Sequence, residues 1–220
     1  LKRSLMRHLF TYGPVPLQEA ERVPLKETEI GPVPEHWEVV PFRRAVLKKR
    51  VRVGKVKRQQ YKRAGRFPII DQGQQRIAGY CDSPTDVYTG DLPVVVFGDH
   101  TRVFKYVDFP FVAGADGVKV LLPDTQMYVP QFLYHALLAL DIPSRGYNRH
   151  FKILKEKSVQ LPPVSEQRAI ARILQVVQSK AETEDNRKLA LEGLFRSLLH
   201  HLMTGKIRVK PEAASEATTS

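Results

Sequence analysis

The chain has 220 residues, 42% apolar and 26% charged, enough for one domain with a sizeable core and one further element. No eighteen apolar residues run together and no continuous apolar stretch follows the N-terminal charges, so neither a membrane span nor a signal peptide is expected. One cysteine, Cys81, excludes an internal disulfide and a cysteine-based metal site, and the expected compartment is a reducing cytoplasm.

Residues 1–12 place Leu1, Leu5, Met6 and Leu9 at helical spacing and read as the last turns of a helix that Gly13 and Pro14 end. The start on Leu1 rather than Met fits an unusual start codon, trimming or a missing upstream part. Residues 13–34 are proline-rich and read as an extended connector, since six prolines fall between Pro14 and Pro41.

Thirty-five basic residues against twenty-three acidic ones give a net charge of +12. The window from Arg43 to Arg66 holds twelve Lys or Arg and no acid, so the rest of the chain is neutral. Clustered cations gain affinity for a polyanion by releasing its counterions, and Gln59, Gln60 and Tyr61 add polar contacts among them. Val51, Val53 and Val56 alternate over too short a stretch for a membrane-surface helix and suit a strand and turn. The candidate phosphate contacts are Arg43, Arg44, Lys48, Lys49, Arg50, Arg52, Lys55, Lys57, Arg58, Lys62 and Arg63.

Residues 35–163 read as a mixed domain. Strands are expected at Pro68–Ile70, Pro93–Phe97, Val103–Val107 and Val118–Leu122, and a helix from Gln131 to Leu140. Three polar turns could read bases. Gln72, Gln74, Gln75 and Arg76 offer amides suited to adenine and a guanidinium suited to guanine. His100, Thr101 and Arg102 follow an apolar run, and Tyr147, Asn148, Arg149 and His150 combine aromatic, polar and basic groups.

Residues 164–205 have no Gly or Pro before Gly193 and read as one helix of about 57 Å over 166–203 at 1.5 Å per residue, with Ser165 as its N-cap. Steps of four and three select Ile170, Leu174, Val177, Ala181, Glu184, Lys188, Leu191, Phe195, Leu198 and Leu202, a heptad seam with one polar layer. A small domain cannot bury so long a rod against itself, so a partner helix is expected. The tail, residues 206–220, reads as mostly disordered. The expected fold class is therefore α+β, one mixed domain followed by a long coiled-coil-forming helix.

Leu1–Thr11 aligns without gaps to Leu194–Thr204 with seven of eleven positions identical, so the chain begins with the end of the helix type on which it finishes. No catalytic constellation stands out. A glycine-rich cofactor loop is missing, Gly205-Lys206 has His200 where a phosphate loop needs Gly, Asp116–Lys119 lacks a second spaced carboxylate, and the histidines are scattered.

Four segments together resemble the DNA-specificity subunit of type I restriction–modification enzymes: Gly31–Trp37, Gly146–Lys152, Leu161–Ile170 and Leu202–Val209. The resemblance runs from about Leu1 to Val209. It implies a non-catalytic DNA reader: two target-recognition domains spaced by antiparallel helices, each reading half of a gapped duplex site, with the helices docking modification (methyltransferase) subunits. S-adenosylmethionine, ATP and Mg would belong to those and to the restriction/translocase subunit, and no cofactor or metal to this chain. With one recognition domain the chain resembles half of such a subunit, residues 1–12 being the remnant of the preceding helix. It implies a homodimer or pairing with another specificity half. The other readings are an inactive remnant of a two-domain subunit, a coiled-coil adaptor, and a self-contained nuclease or methyltransferase.

Overall fold

The computed structural model describes residues 2–49, 51–115, 117–143 and 149–206. The chain divides into two units, Leu1–Leu174 and Gln175–Ser220. In the first, helix α1 (Lys2–Tyr12) buries Leu9 and Phe10, and the Phe10 ring lies 5.6 Å from that of Phe132. The predicted helix end thus exists and contributes to the core. Gly13, at φ +83°, closes it by donating its amide to Leu9 O.

The connector is more structured than its prolines suggested. A 3-10 helix spans Leu17–Arg22, and β1 (Leu25–Lys26) pairs with β2 (Val33–Pro34) around a turn in which Thr28 and Gly31 exchange backbone hydrogen bonds. Prolines bar a central strand but not an edge of two residues. After it come β3 (Glu38–Pro41) and a one-turn helix, α2 (Phe42–Ala45). Beyond α2, the described part of the basic window is largely irregular, with β4 (Lys55–Val56) and a 3-10 turn at Arg58–Gln60.

The four predicted strands appear as β5 (Phe67–Ile70), β7 (Val94–Gly98), β8 (Phe104–Val107) and β10 (Val118–Leu121). Between them lie β6 (Gly79–Cys81) and β9 (Val112–Gly114), too short for any periodicity to reveal. β7 is buried throughout and runs antiparallel between β10 and β8, as an unbroken apolar run requires. A second sheet has the order β4-β9-β5-β6, with β9 parallel to both of its neighbours.

Helix α3 (Pro130–Ala139) begins on the proline that needs no amide acceptor and buries Phe132, Leu133, Ala136 and Leu137. After α4 (Phe151–Leu154), β11 (Ser158–Leu161) returns to pair with β3, Val159 opposite Val40. Helix α5 (Val164–Met203) starts two residues before the expected Glu166: Pro163 O accepts from the amides of Glu166 and Gln167, so Ser165 lies inside the first turn. Ile170 and Leu174, expected on the seam toward a partner, are fully buried in this unit's own core.

The second unit carries the remainder of α5, exposed from Ser179 to His200. Of the seam, Val177 is half-buried, and Ala181, Glu184, Lys188, Leu191, Phe195, Leu198 and Leu202 are exposed. Glu184 and Lys188 do not pair with each other. Glu184 lies 3.9 Å from Arg187 and Lys188 4.0 Å from Glu192. The expected tail lies outside the described residues except for Lys206.

Candidate nucleic-acid interface

Among the candidate phosphate contacts, Arg50 lies outside the described residues and every other one is exposed. Local packing explains this. Phe42 and Ala45 turn inward from α2 and leave Arg43 and Arg44 outside, while buried Val56 leaves Lys55 and Lys57 outside. Lys49 pairs with Asp91 at 3.3 Å and Lys62 with Asp82 at 2.7 Å. The hydrogen bond between Lys62 and Asp82 raises the ammonium's pKa and lowers the carboxyl's. Among the described residues no carboxylate lies within ion-pair reach of Arg43, Arg44, Lys48, Arg52, Lys55, Lys57, Arg58 or Arg63. Arg52 and Lys55 line an open groove of about 630 Å³ together with Lys119 and Phe151.

The polar turns, far apart in sequence, meet in space. Gln72 is half-buried: its Oε1 accepts from the His100 amide at 3.2 Å, and its carbonyl accepts from the Thr101 hydroxyl at 2.6 Å. Gly117 permits this approach, since a Cβ there would lie 2.5 Å from Gln72 Oε1 and 2.8 Å from the His100 ring. Arg102 adopts φ +62° and donates from Nη1 to Ile142 O at 2.8 Å. His150 is fully buried, its Nδ1 donating to Asp99 O at 2.9 Å.

The structure thus separates the expected base readers. Gln74, Gln75, Arg76 and Arg149 face solvent, and Arg76 lies 3.3 Å from Asp108 with its guanidinium over the Phe109 ring. The hydrogen bonds of Gln72, Thr101 and Arg102 tie turns together. His150, expected at a base, is enclosed by the domain and holds the main chain instead. Tyr147 and Asn148 lie outside the described residues.

The sequence shows Asp99 on the polar 98–102 turn and Lys105 and Lys119 within the expected strands, but not the pairings that support this surface. Asp99, 3% exposed, lies 3.8 Å from Lys119. Lys105 is buried beside Asp71, Nζ to Oδ1 3.4 Å, and Asp71 also accepts from the Gly73 amide at 2.8 Å. Burial lowers the Lys105 pKa, and Asp71 opposes that shift. Both lysines sit in apolar-looking strands, where alternation hides a charged residue whose partner is distant in sequence.

Amides and guanidinium groups on linked turns, beside unpaired cations, can hydrogen-bond the edges of bases while contacting phosphates. Among the described residues no group of three or more His, Cys, Asp or Glu could hold a metal ion, and no helix is long and apolar enough to cross a membrane.

The family model described as the type I restriction modification DNA specificity domain matches residues 54–193. A Methanocaldococcus jannaschii protein, named for the specificity subunit of a type I restriction enzyme MjaX, is 27% identical over 225 aligned residues, covering 95% of this chain and 51% of that protein. The crystal structure of the S subunit of a type I restriction–modification system from M. genitalium superposes with a TM-score of 0.55 at 18% identity, over 75% of this chain and 45% of that one. A chain from a structure described as addressing complex assembly and conformational transition of the type I system gives 0.56 at 18%, over 90% and 49%. The chain spans about half the length of these relatives, and the structural likenesses share its fold. With the family model covering well over half of the sequence, the chain belongs to the type I restriction modification DNA specificity domain family.

Proposed function

We propose that this chain is a non-catalytic DNA reader that recognises one short word of a gapped duplex site and docks the methyltransferase subunits of a type I restriction–modification complex. The observation that carries the reading is the convergence of the 71–76 and 98–102 turns and the stretch from Arg149, next to a window of exposed, mostly unpaired cations. The cations supply affinity for any duplex, and the turns supply discrimination. The exposed apolar positions Leu191, Phe195, Leu198 and Leu202 suit a partner helix, from a second copy of this chain or another specificity half. S-adenosylmethionine, ATP and Mg would then act in the partner subunits, and the complex would work in the cytoplasm.

Titration of the purified chain with duplex DNA at rising salt tests the reading. Binding should fall linearly on logarithmic axes as counterion release demands, and selection from a randomised duplex pool should return one recurrent word. A flat salt dependence with no recurrent word would leave a coiled-coil adaptor.

A further inference from the structure

Asp99 follows β7 and is almost fully buried, yet its bonds reach well beyond its own turn. Its amide donates to Gly117 O at 2.6 Å, and its carbonyl accepts from the His150 amide at 2.9 Å. Its Oδ1 accepts from the Phe151 amide at 2.8 Å, at the start of α4. Oδ2 faces Lys119 Nζ at 3.8 Å, which offsets the buried charge. Within the same turn, the His100 amide and Thr101 hydroxyl bind Gln72, while Arg102 reaches Ile142 O from a left-handed backbone. A non-glycine residue holds that conformation only where its surroundings determine it.

We propose that Asp99 is a positioning residue for base recognition. Its carboxylate and main chain join the 98–102 turn to Gly117 and the stretch from Arg149, and the same turn holds the 71–76 turn through the His100 amide and Thr101 hydroxyl, so that the three form one rigid reader. The inference rests on the DNA-reading function proposed above. Asp99 touches no base itself; its buried side chain sets the relative placement of Gln74, Arg76 and Arg149, which are exposed. A misplacement of about 1 Å suffices to break a bidentate hydrogen bond to a base, whereas flexible lysines still reach phosphates. Loss of Asp99 therefore lowers discrimination and spares general affinity. Asparagine keeps the Oδ1 acceptor for Phe151 in place, and glutamate keeps the charge but displaces it by one methylene.

The test uses the full chain as wild type, Asp99→Ala, Asp99→Asn and Asp99→Glu. A recurrent duplex is selected with wild type from a randomised pool, and every protein is titrated with that duplex and a scrambled one, alongside thermal melting. Asp99→Ala should lower the selected-to-scrambled affinity ratio about tenfold or more while changing scrambled binding by less than about twofold. Asp99→Asn should restore most of the ratio, and Asp99→Glu should not. An Ala variant that keeps the ratio, or that loses both affinities in step with its fold, overturns the proposal. Should Ala fail to fold, equal ratios for Asn and Glu overturn it. A wild type that selects no recurrent duplex overturns the DNA-reading function beneath it, a result distinct from all of these.

Discussion

The Trp37 indole Nε1 donates to Glu166 Oε2 at 2.9 Å, joining the residue before β3 to the first turn of α5 across 129 positions of sequence. His36 Nε2 donates to the other carboxylate oxygen at 2.7 Å. The neighbouring Gln167, fully buried, accepts from the Val129 amide and donates to Met127 O and Pro162 O. Two adjacent side chains thus fasten the first turn of the helix to three separate stretches of the domain, at residues 36–37, 127–129 and 162.

Removal of these bonds should destabilise the first unit. Gln167→Leu leaves one buried amide and two carbonyls without that partner and should cost about 2–5 kcal/mol in urea unfolding. Glu166→Gln keeps an acceptor for Trp37 and should cost less, about 1 kcal/mol. Equal losses for the two variants would contradict this account of the joint.

Acid should weaken the domain through His135. This residue of α3 is buried, its Nδ1 has no hydrogen-bond partner among the described residues, and burial pushes its imidazole down to about 4. The unfolded chain binds the proton near pH 6.5, so the unfolded state takes up more protons and stability falls as pH drops from about 6.5 toward 4. The slope should approach about 1.4 kcal/mol per pH unit for this one group. His135→Leu should flatten the difference between urea midpoints at about pH 7 and about pH 5. An unchanged difference would show that other groups carry the acid sensitivity.

Affinity and discrimination should separate by residue. Replacing Lys48, Arg52, Lys55 and Arg58 together with Ala should weaken binding to all duplexes alike. The salt slope should fall by up to about 0.9 for each phosphate that is no longer neutralised. Arg76→Ala should instead relax preference at one or two base pairs, by about 1–3 kcal/mol each. A lysine and arginine set that changed the preferred word while sparing scrambled binding would reverse these roles.

Much of this was legible in the sequence because it rests on local pattern. Strands β5, β7, β8 and β10 announced themselves as apolar runs, α3 by Pro130, and the exposed window by its lack of acids, whereas the equally long β3 and β11 did not. The short strands β6 and β9 carry too few residues for alternation, and their pairing partners are distant. Asp99 and His150 were illegible as a joint for the same reason. A buried polar residue has the composition of a surface turn until its partner, 51 positions away, is known. The heptad seam was read as a single surface, but its first two members, Ile170 and Leu174, belong to the domain core. Periodicity locates an apolar face without naming what covers it.

That division changes how the helix should be tested. Leu174→Asp places a charge in the core and should unfold the first unit, so it reports nothing about partners. Leu191→Asp with Leu198→Asp alters exposed positions and should leave thermal stability of the monomer within about 0.5 kcal/mol while abolishing self-association and modification-subunit binding. Sedimentation of the double variant with the subunits reads both effects. A variant that stayed associated and assembly-competent would exclude this face as the docking surface.

Mapping of methylated adenines in cells that carry this chain with its modification subunit tests the central claim most directly. The account predicts methylation at a gapped site: one palindrome where two copies of this chain pair about a two-fold axis and read the same word on opposite strands, and two different words where another specificity half is the partner. Deleting Lys180–Asn186, one heptad of exposed helix, should shorten the gap and leave the words unchanged. Methylation that does not depend on this chain would contradict the account, as would a site that keeps its gap but changes its words after the deletion.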